Sequence, residues 1–193
     1  METPIIAPIE GYSATEDKTA RTLEAVRAYI AAFSTPPLDK SRIYPGDSDV
    51  MVLPAGSNDY AVFYVLDQQT VGTPLEQPGE GNETRIGTYV RTRVQIDIYS
   101  DAGRGYDNAR ARAQTLSTLA RTPTGVGFFD QFDIDCLFCD YASSAPVVTD
   151  SKRKASRWTL TLNLGFWQWI TVKQDYFTGI ADNVQNVDVA FHP

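Results

Sequence analysis

From Thr88 to Tyr99 the chain alternates without a break. Val90, Thr92, Val94, Ile96 and Ile98 fall on one side, and Tyr89, Arg91, Arg93, Gln95, Asp97 and Tyr99 on the other. Successive side chains of a strand point to opposite faces, so this pattern specifies a sheet with one buried face and one polar face. Something apolar must cover the first. The second carries both signs of charge and is either wet or paired with a neighbouring subunit.

The cover is supplied by two helical stretches. Leu23, Val26, Ile30 and Phe33 recur at helical spacing, with Arg21, Glu24 and Arg27 facing water, which predicts a helix over Ser13–Phe33. Ser13 and Glu16 have capping-box spacing at its start, and Pro36-Pro37 closes it. A second helix is expected over Tyr106–Arg121, with Tyr106, Ala109, Ala113, Leu116 and Leu119 or Ala120 inward. Ser100 or Asp101 starts the turn into it, and Thr122-Pro123 ends it.

Further strands read at Asp49–Leu53, Tyr60–Leu66, Phe132–Tyr141 and along the stripe Trp158, Leu160, Leu162, Leu164 and Phe166. Between two of them lies Asp67–Gly87, rich in Gln, Gly, Pro, Thr and Glu. It is either a long functional loop or a long hairpin with its tip at Pro78-Gly79-Glu80-Gly81-Asn82. The C-terminal stretch 171–193 mixes apolar residues with Asn, Asp and Gly. Val187, Val189 and Phe191 alternate there, as in a strand that pairs at home or on an adjacent subunit. Helices and strands interleave without a repeat. The expected fold class is therefore α+β, one domain over 1–193, a mainly antiparallel sheet flanked by two helices.

Composition matters chiefly for what it excludes. With 17 Lys and Arg against 24 Asp and Glu, the net charge is −7, the wrong sign for general nucleic-acid binding. Met1-Glu2-Thr3-Pro4 lacks the basic start and apolar run of a signal peptide, so synthesis in the cytosol is expected.

Candidate chemistry fares poorly. The sole histidine, His192, is penultimate, which removes imidazole-based triads and the common zinc sites. Cys136 and Cys139 match C-x-x-C but sit in a strand-like run, where odd spacing sends them to opposite faces. A redox pair needs a helix N-terminus, and no further zinc ligands are present. Asp130, Asp133, Asp135 and Asp140 cluster nearby as a solvated strand face would. Gly125-Val126-Gly127 reads as a turn, and Gly103-Arg104-Gly105 as a helix approach. Asn82-Glu83-Thr84 matches a glycosylation acceptor but has no secretion signal beside it. Lys152-Arg153-Lys154 with Arg157 reads as a solvated basic connection. No catalytic, cofactor-binding or metal-binding residue is assigned, and the chain is not expected to be an enzyme. Trp167 and Trp169 share one face at the end of an apolar strand, as core or subunit-interface aromatics do.

The run Val94-Gln95-Ile96-Asp97-Ile98-Tyr99-Ser100, followed by Tyr106-Asp107-Asn108-Ala109 and on to Leu119, resembles phage neck or tail terminator proteins of contractile-tailed (myovirus-type) phages. In that pattern a strand ending Q-x-D-x-Y leads to a helix opening on an aromatic-Asp pair. Arg157–Leu164 and Val187-Asp188-Val189 are similar to the closing part of those proteins. The likeness runs from about Thr15 to Phe191 and aligns nothing to Asp67–Gly87.

This resemblance implies a homo-oligomeric ring, usually hexameric, in the virion neck, assembled in the host cytoplasm. The ring would cap the tail tube, join it to the head-tail connector, meet the sheath, and let DNA pass through its lumen. Tube and completion proteins of the tail, and more remotely a small Asp-dependent hydrolase, are the alternatives. Subunit-interface candidates are Trp167, Trp169, Tyr176, Phe177, Val187, Val189 and Phe191. Partner-contact candidates in the long segment are Pro74, Glu76, Pro78, Glu80 and Glu83.

Overall fold

The computed structural model describes residues 12–14, 18–46, 59–81, 83–101, 107–145 and 155–173. The expected strand at Asp49–Leu53, the Gly103–Gly105 approach, Lys152–Lys154, and the tail residues Tyr176, Phe177, Val187, Val189, Phe191 and His192 lie outside the described residues. In chain order the described elements are β1 (Tyr12–Ala14), α1 (Lys18–Phe33), β2 (Ile43–Pro45), β3 (Tyr60–Pro78), β4 (Glu83–Asp101), α2 (Asn108–Leu119), α3 (Pro123–Asp130), β5 (Asp135–Cys139), β6 (Ser143–Ala145) and β7 (Ala155–Lys173). The class is α+β, as expected, with three α-helices among the described residues where two were read from the sequence.

The strands form one sheet in the order β1-β7-β4-β3-β2. β5 and β6 also pair antiparallel with β7, at residues 162–165 and 157–159. β1 pairs antiparallel with it at residues 170–172. β2 runs parallel to the start of β3, with Ile43 opposite Ala61 and Pro45 opposite Phe63. Contacts between β3 and β4, at 60 with 99, 64 with 95 and 67 with 93, run in opposite chain directions, as a tight hairpin requires. The long segment after Asp67 is therefore the hairpin of the two alternatives, with Gly79, Glu80 and Gly81 at its turn.

The chain divides into two compact units. The larger comprises residues 17–71 and 89–166. Its core follows from the alternation in β4: Val90, Val94, Ile96 and Ile98 are buried together with Leu160, Leu162 and Leu164 of β7. Helix α1 covers this face through Thr22, Ala25, Val26, Tyr29 and Ile30, a stripe rotated from the expected one, so that Leu23 and Phe33 pack at its margin. Tyr29 and Phe129 pack with tilted rings 4.9 Å apart, and Tyr29 Oη donates to the Leu116 carbonyl at 2.8 Å. Each fully buried side chain of this size contributes about 1.5–3 kcal/mol relative to exposure.

Two helix boundaries differ from expectation. Ser13 is no cap: it lies in β1, in register with Thr171, and α1 begins only at Lys18. A residue whose backbone serves a sheet ladder cannot also close the first turn of that helix. Helix α2 is capped by Asp107, whose carboxylate accepts from the Arg110 N–H at 3.1 Å, while Ser100 Oγ accepts the Ala109 N–H from the strand behind.

Gly125-Val126-Gly127 is not a turn but part of α3, which opens on Pro123 at its first helical positions. Gly125 is there because the α2 backbone crosses so close: a Cβ would stand 2.3 Å from the Leu119 carbonyl oxygen.

The smaller unit comprises 1–16, 72–88 and 167–193. Within it, β1 pairs with the end of β7 and the hairpin turns through Gly79 and Gly81, the latter at φ +64°. The Gly79 N–H donates to the Glu83 carbonyl at 2.8 Å and closes that turn.

Candidate assembly surfaces

The helices lie on the side of the even-numbered β4 residues, so the odd-numbered face is left to polar groups. It is not simply wet. Asp97 is 3% exposed and accepts from Arg157 Nη2 at 2.7 Å, Thr159 Oγ1 at 2.7 Å and Gln95 Nε2 at 3.0 Å. A charge so sheltered is held only because its lone pairs are this fully used.

Tyr60 and Tyr99 stack beside it at 4.5 Å and 13°, with the Arg157 guanidinium 5.8 Å over Tyr99. Burial, then the neighbouring Tyr99, pushes the Tyr60 hydroxyl up to about 12, against which Arg157 works only partly. Burial raises the Tyr99 hydroxyl as well. The sequence showed Asp97 and Arg157 only as members of a charged face and a basic connection; nothing in the spacing foretold their pairing.

Further along the same face a groove of about 350 Å³ is lined by Asp67, Gln69, Arg91, Arg93, Phe138 and Asn163. Arg93 Nε donates to both Asp67 carboxylate oxygens, at 3.0 and 2.9 Å. That bond holds the Asp67 carboxyl below the usual carboxylate range. Arg91 lies over the Phe138 ring at 6.0 Å. Asn163 is 2% exposed, and its Nδ2 has no hydrogen-bond partner among the described residues.

Strand β5 corrects the reading of the cysteines. Its register against β7 shifts between Cys136 and Phe138, a bulge that adds one residue and so reverses the side-chain phase. Cys136 and Cys139 therefore both turn inward, while Leu137 and Phe138 are both turned out, 41% and 45% exposed. The thiols are free. Burial pushes Cys136 up to about 11 and Cys139 up to about 12. That is the opposite of what a reactive pair needs.

Leu137 and Phe138, with Val126 and Tyr141, line an adjoining apolar groove in which Arg121 stacks 3.8 Å over Tyr141. The aspartates nearby stay dispersed. Asp133 sits at φ +56° and pairs with Lys18 at 3.4 Å, and Asp135 accepts from Tyr89 Oη at 2.7 Å. No group of acidic, Cys or His side chains among the described residues is arranged to hold a metal.

In the smaller unit Trp167 and Trp169 stack at 5.6 Å. Arg85 lies 4.9 Å over Trp169 on the hairpin. Gly87 makes the arrangement possible, since a Cβ there would meet the Trp169 ring at 2.5 Å. Trp167 remains 40% exposed. Pro74, Glu76, Pro78 and Glu80 are exposed on the hairpin and Glu83 is half-buried. The structure thus brings the two tryptophans together on β7, while Glu76, Glu80 and Glu83 lie on β3, the turn and β4 of the hairpin.

No curated protein matches the chain. Among the solved structures similar to the chain, one is matched over 80% of this chain and 96% of its own, at 14% identity and a TM-score of 0.38. The family model of the phage neck terminator protein matches residues 24–192, which takes in most of α1, all of α2 and α3, the hairpin and β7, and the chain belongs to that family.

Proposed function

We propose that copies of this chain close into a hexameric ring that caps the tail tube of a contractile-tailed phage and joins it to the head connector. Membership of the neck terminator family makes the chain a structural protein of the phage neck; the ring and its two faces are the further step. The observation that carries it is the outer edge of β3. Among the described residues β2 pairs only with positions 61–63 of a strand that runs to Pro78. Among the described residues no other strand pairs with the backbone groups beyond it, and such an edge accepts a strand from another copy.

Repeated head-to-tail, one edge and one complementary surface generate a closed ring or an open filament, depending only on the rotation between copies. A terminator needs closure, whereas a tube protein stacks indefinitely. The tail residues Tyr176, Phe177, Val187, Val189 and Phe191 are proposed as partners at such an edge, and the net charge of −7 suits a lumen through which DNA slides without sticking.

The test is the mass of the full-length chain in solution, alone and after mixing with purified tail tubes. A discrete cyclic oligomer, free or seated on tube ends, is the expected result. Indefinite filaments would favour a tube protein, and a monomer under both conditions would overturn the ring.

A further inference from the structure

The groove lined by Asp67, Arg91, Arg93, Phe138 and Asn163 has a composition that the sheet itself does not explain. Asn163 lines the groove, and its buried Nδ2 has no hydrogen-bond partner among the described residues, a costly arrangement for an amide donor. Asp67 is spent on Arg93, and Asp135 on the Tyr89 hydroxyl. Arg91 makes no ion pair among the described residues and is held over Phe138 by its ring face. The groove therefore offers a cation and an aromatic wall over a buried amide, a setting that suits a carboxylate on a short side chain.

The same molecule carries such groups without partners. Glu76 and Glu80 are exposed on the hairpin and make no ion pair among the described residues. Glu80 stands between Gly79 and Gly81. Gly81 has a positive φ, and at Gly79 a Cβ would stand 2.9 Å from Glu83. The turn thus presents one acidic side chain between two residues that have none.

We propose that the groove is a socket for a carboxylate of a second copy of this chain, delivered by Glu80 at the hairpin tip. This rests on the ring reading and supplies it with a specific contact between copies. The contact is heterologous, because tip and groove are different surfaces, and that is the kind of contact from which cyclic assemblies are built.

The experiment is a charge exchange on the full-length chain, read as the self-association constant by sedimentation. Arg91→Glu and Glu80→Arg are each expected to weaken association by about tenfold or more, and the doubly exchanged chain to recover most of the loss. Glu80→Arg lies on an exposed turn, so it reports on assembly even if Arg91→Glu disturbs folding. As a second readout, Glu80→Cys with Phe138→Cys is expected to give disulfide-linked oligomers under mild oxidation.

If the wild type assembles while Glu80→Arg has no effect, the socket is overturned and the ring stands. If both single variants weaken assembly and the exchange recovers nothing, Glu80 is not the occupant and the proposal fails. A wild type that stays monomeric even on tube ends overturns the ring, and the socket with it.

Discussion

Arg112 shows how much a single side chain can decide. On a helix otherwise lined inward by Ala109, Ala113 and Leu116 it would be expected to face water, yet it is 3% exposed. Its guanidinium donates from Nε to the Pro36 carbonyl at 2.8 Å and from Nη2 to the Pro37 carbonyl at 3.2 Å. Nη1 pairs with Asp59 at 3.0 Å. One planar fork thus ties the connection after α1 and the entry to β3 onto α2, and it serves the carbonyls of two successive prolines that lie outside any helix or strand. Arg112→Ala is expected to lose on the order of 3 kcal/mol. Arg112→Lys should recover little, because an ammonium cannot reach three acceptors at once. Urea unfolding of the two variants checks both statements, and a loss below about 1 kcal/mol for Arg112→Ala would show that water replaces the fork.

At the scale of elements, β5 separates what the sequence could show from what it could not. Its existence was legible from the apolar run, but its phase was not, because a bulge leaves no mark in residue types. Cys136 and Cys139 were accordingly read as opposed, and the register shift puts both inside. The folded thiols, raised to about 11 and 12 by burial, hold far less thiolate at pH 8 than free cysteine does.

Modification by an aromatic disulfide reagent is therefore expected to be at least about a hundredfold slower in the folded chain than in denaturant, where both thiols react. Rapid reaction of one thiol in the native protein would mean that β5 opens locally. The same distinction runs through the other elements. The period-two stripe of β4 and the Leu stripe of β7 translated directly into buried faces, since periodicity is what a buried face imposes. Helix α3 did not, because Gly125 reads as a breaker and its reason lies in the α2 backbone. The Asp97 and Arg157 pair and the Asn163 groove were invisible for a related reason: partners far apart along the chain meet only through the sheet register. The candidates Trp167 and Trp169 were legible as a pair, because alternate positions on one strand must share a face.

For the molecule as a whole, acid is the informative variable, because two electrostatic effects act over different windows. The net charge of −7 falls to zero near the sequence pI of 4.7, so self-repulsion declines as pH drops from 7 toward 5. The carboxylates that the fold uses respond lower down. Burial alone would raise Asp107, but the Arg110 N–H, Ser156 and Trp158 bonds outweigh it and hold the group below its ordinary value. Hydrogen bonds from Ser41 do the same for Asp39, as the Arg93 bond does for Asp67. A carboxyl whose folded pKa is depressed contributes stability that is fully present above its unfolded value, about 3.9 for Asp. That stability disappears as pH falls through the folded value. The melting temperature is therefore expected to hold level or rise slightly between pH 7 and about 5, then fall steeply below about 4. Thermal unfolding followed by circular dichroism in low-salt buffers measures this directly. The Asp107→Asn variant should begin lower and show a shallower acid limb, since its cap no longer titrates. If the wild type instead loses stability steadily from pH 7, the unfolded chain takes up protons well above the ordinary carboxylate range, and depressed carboxyls such as Asp107 do not set the acid limb.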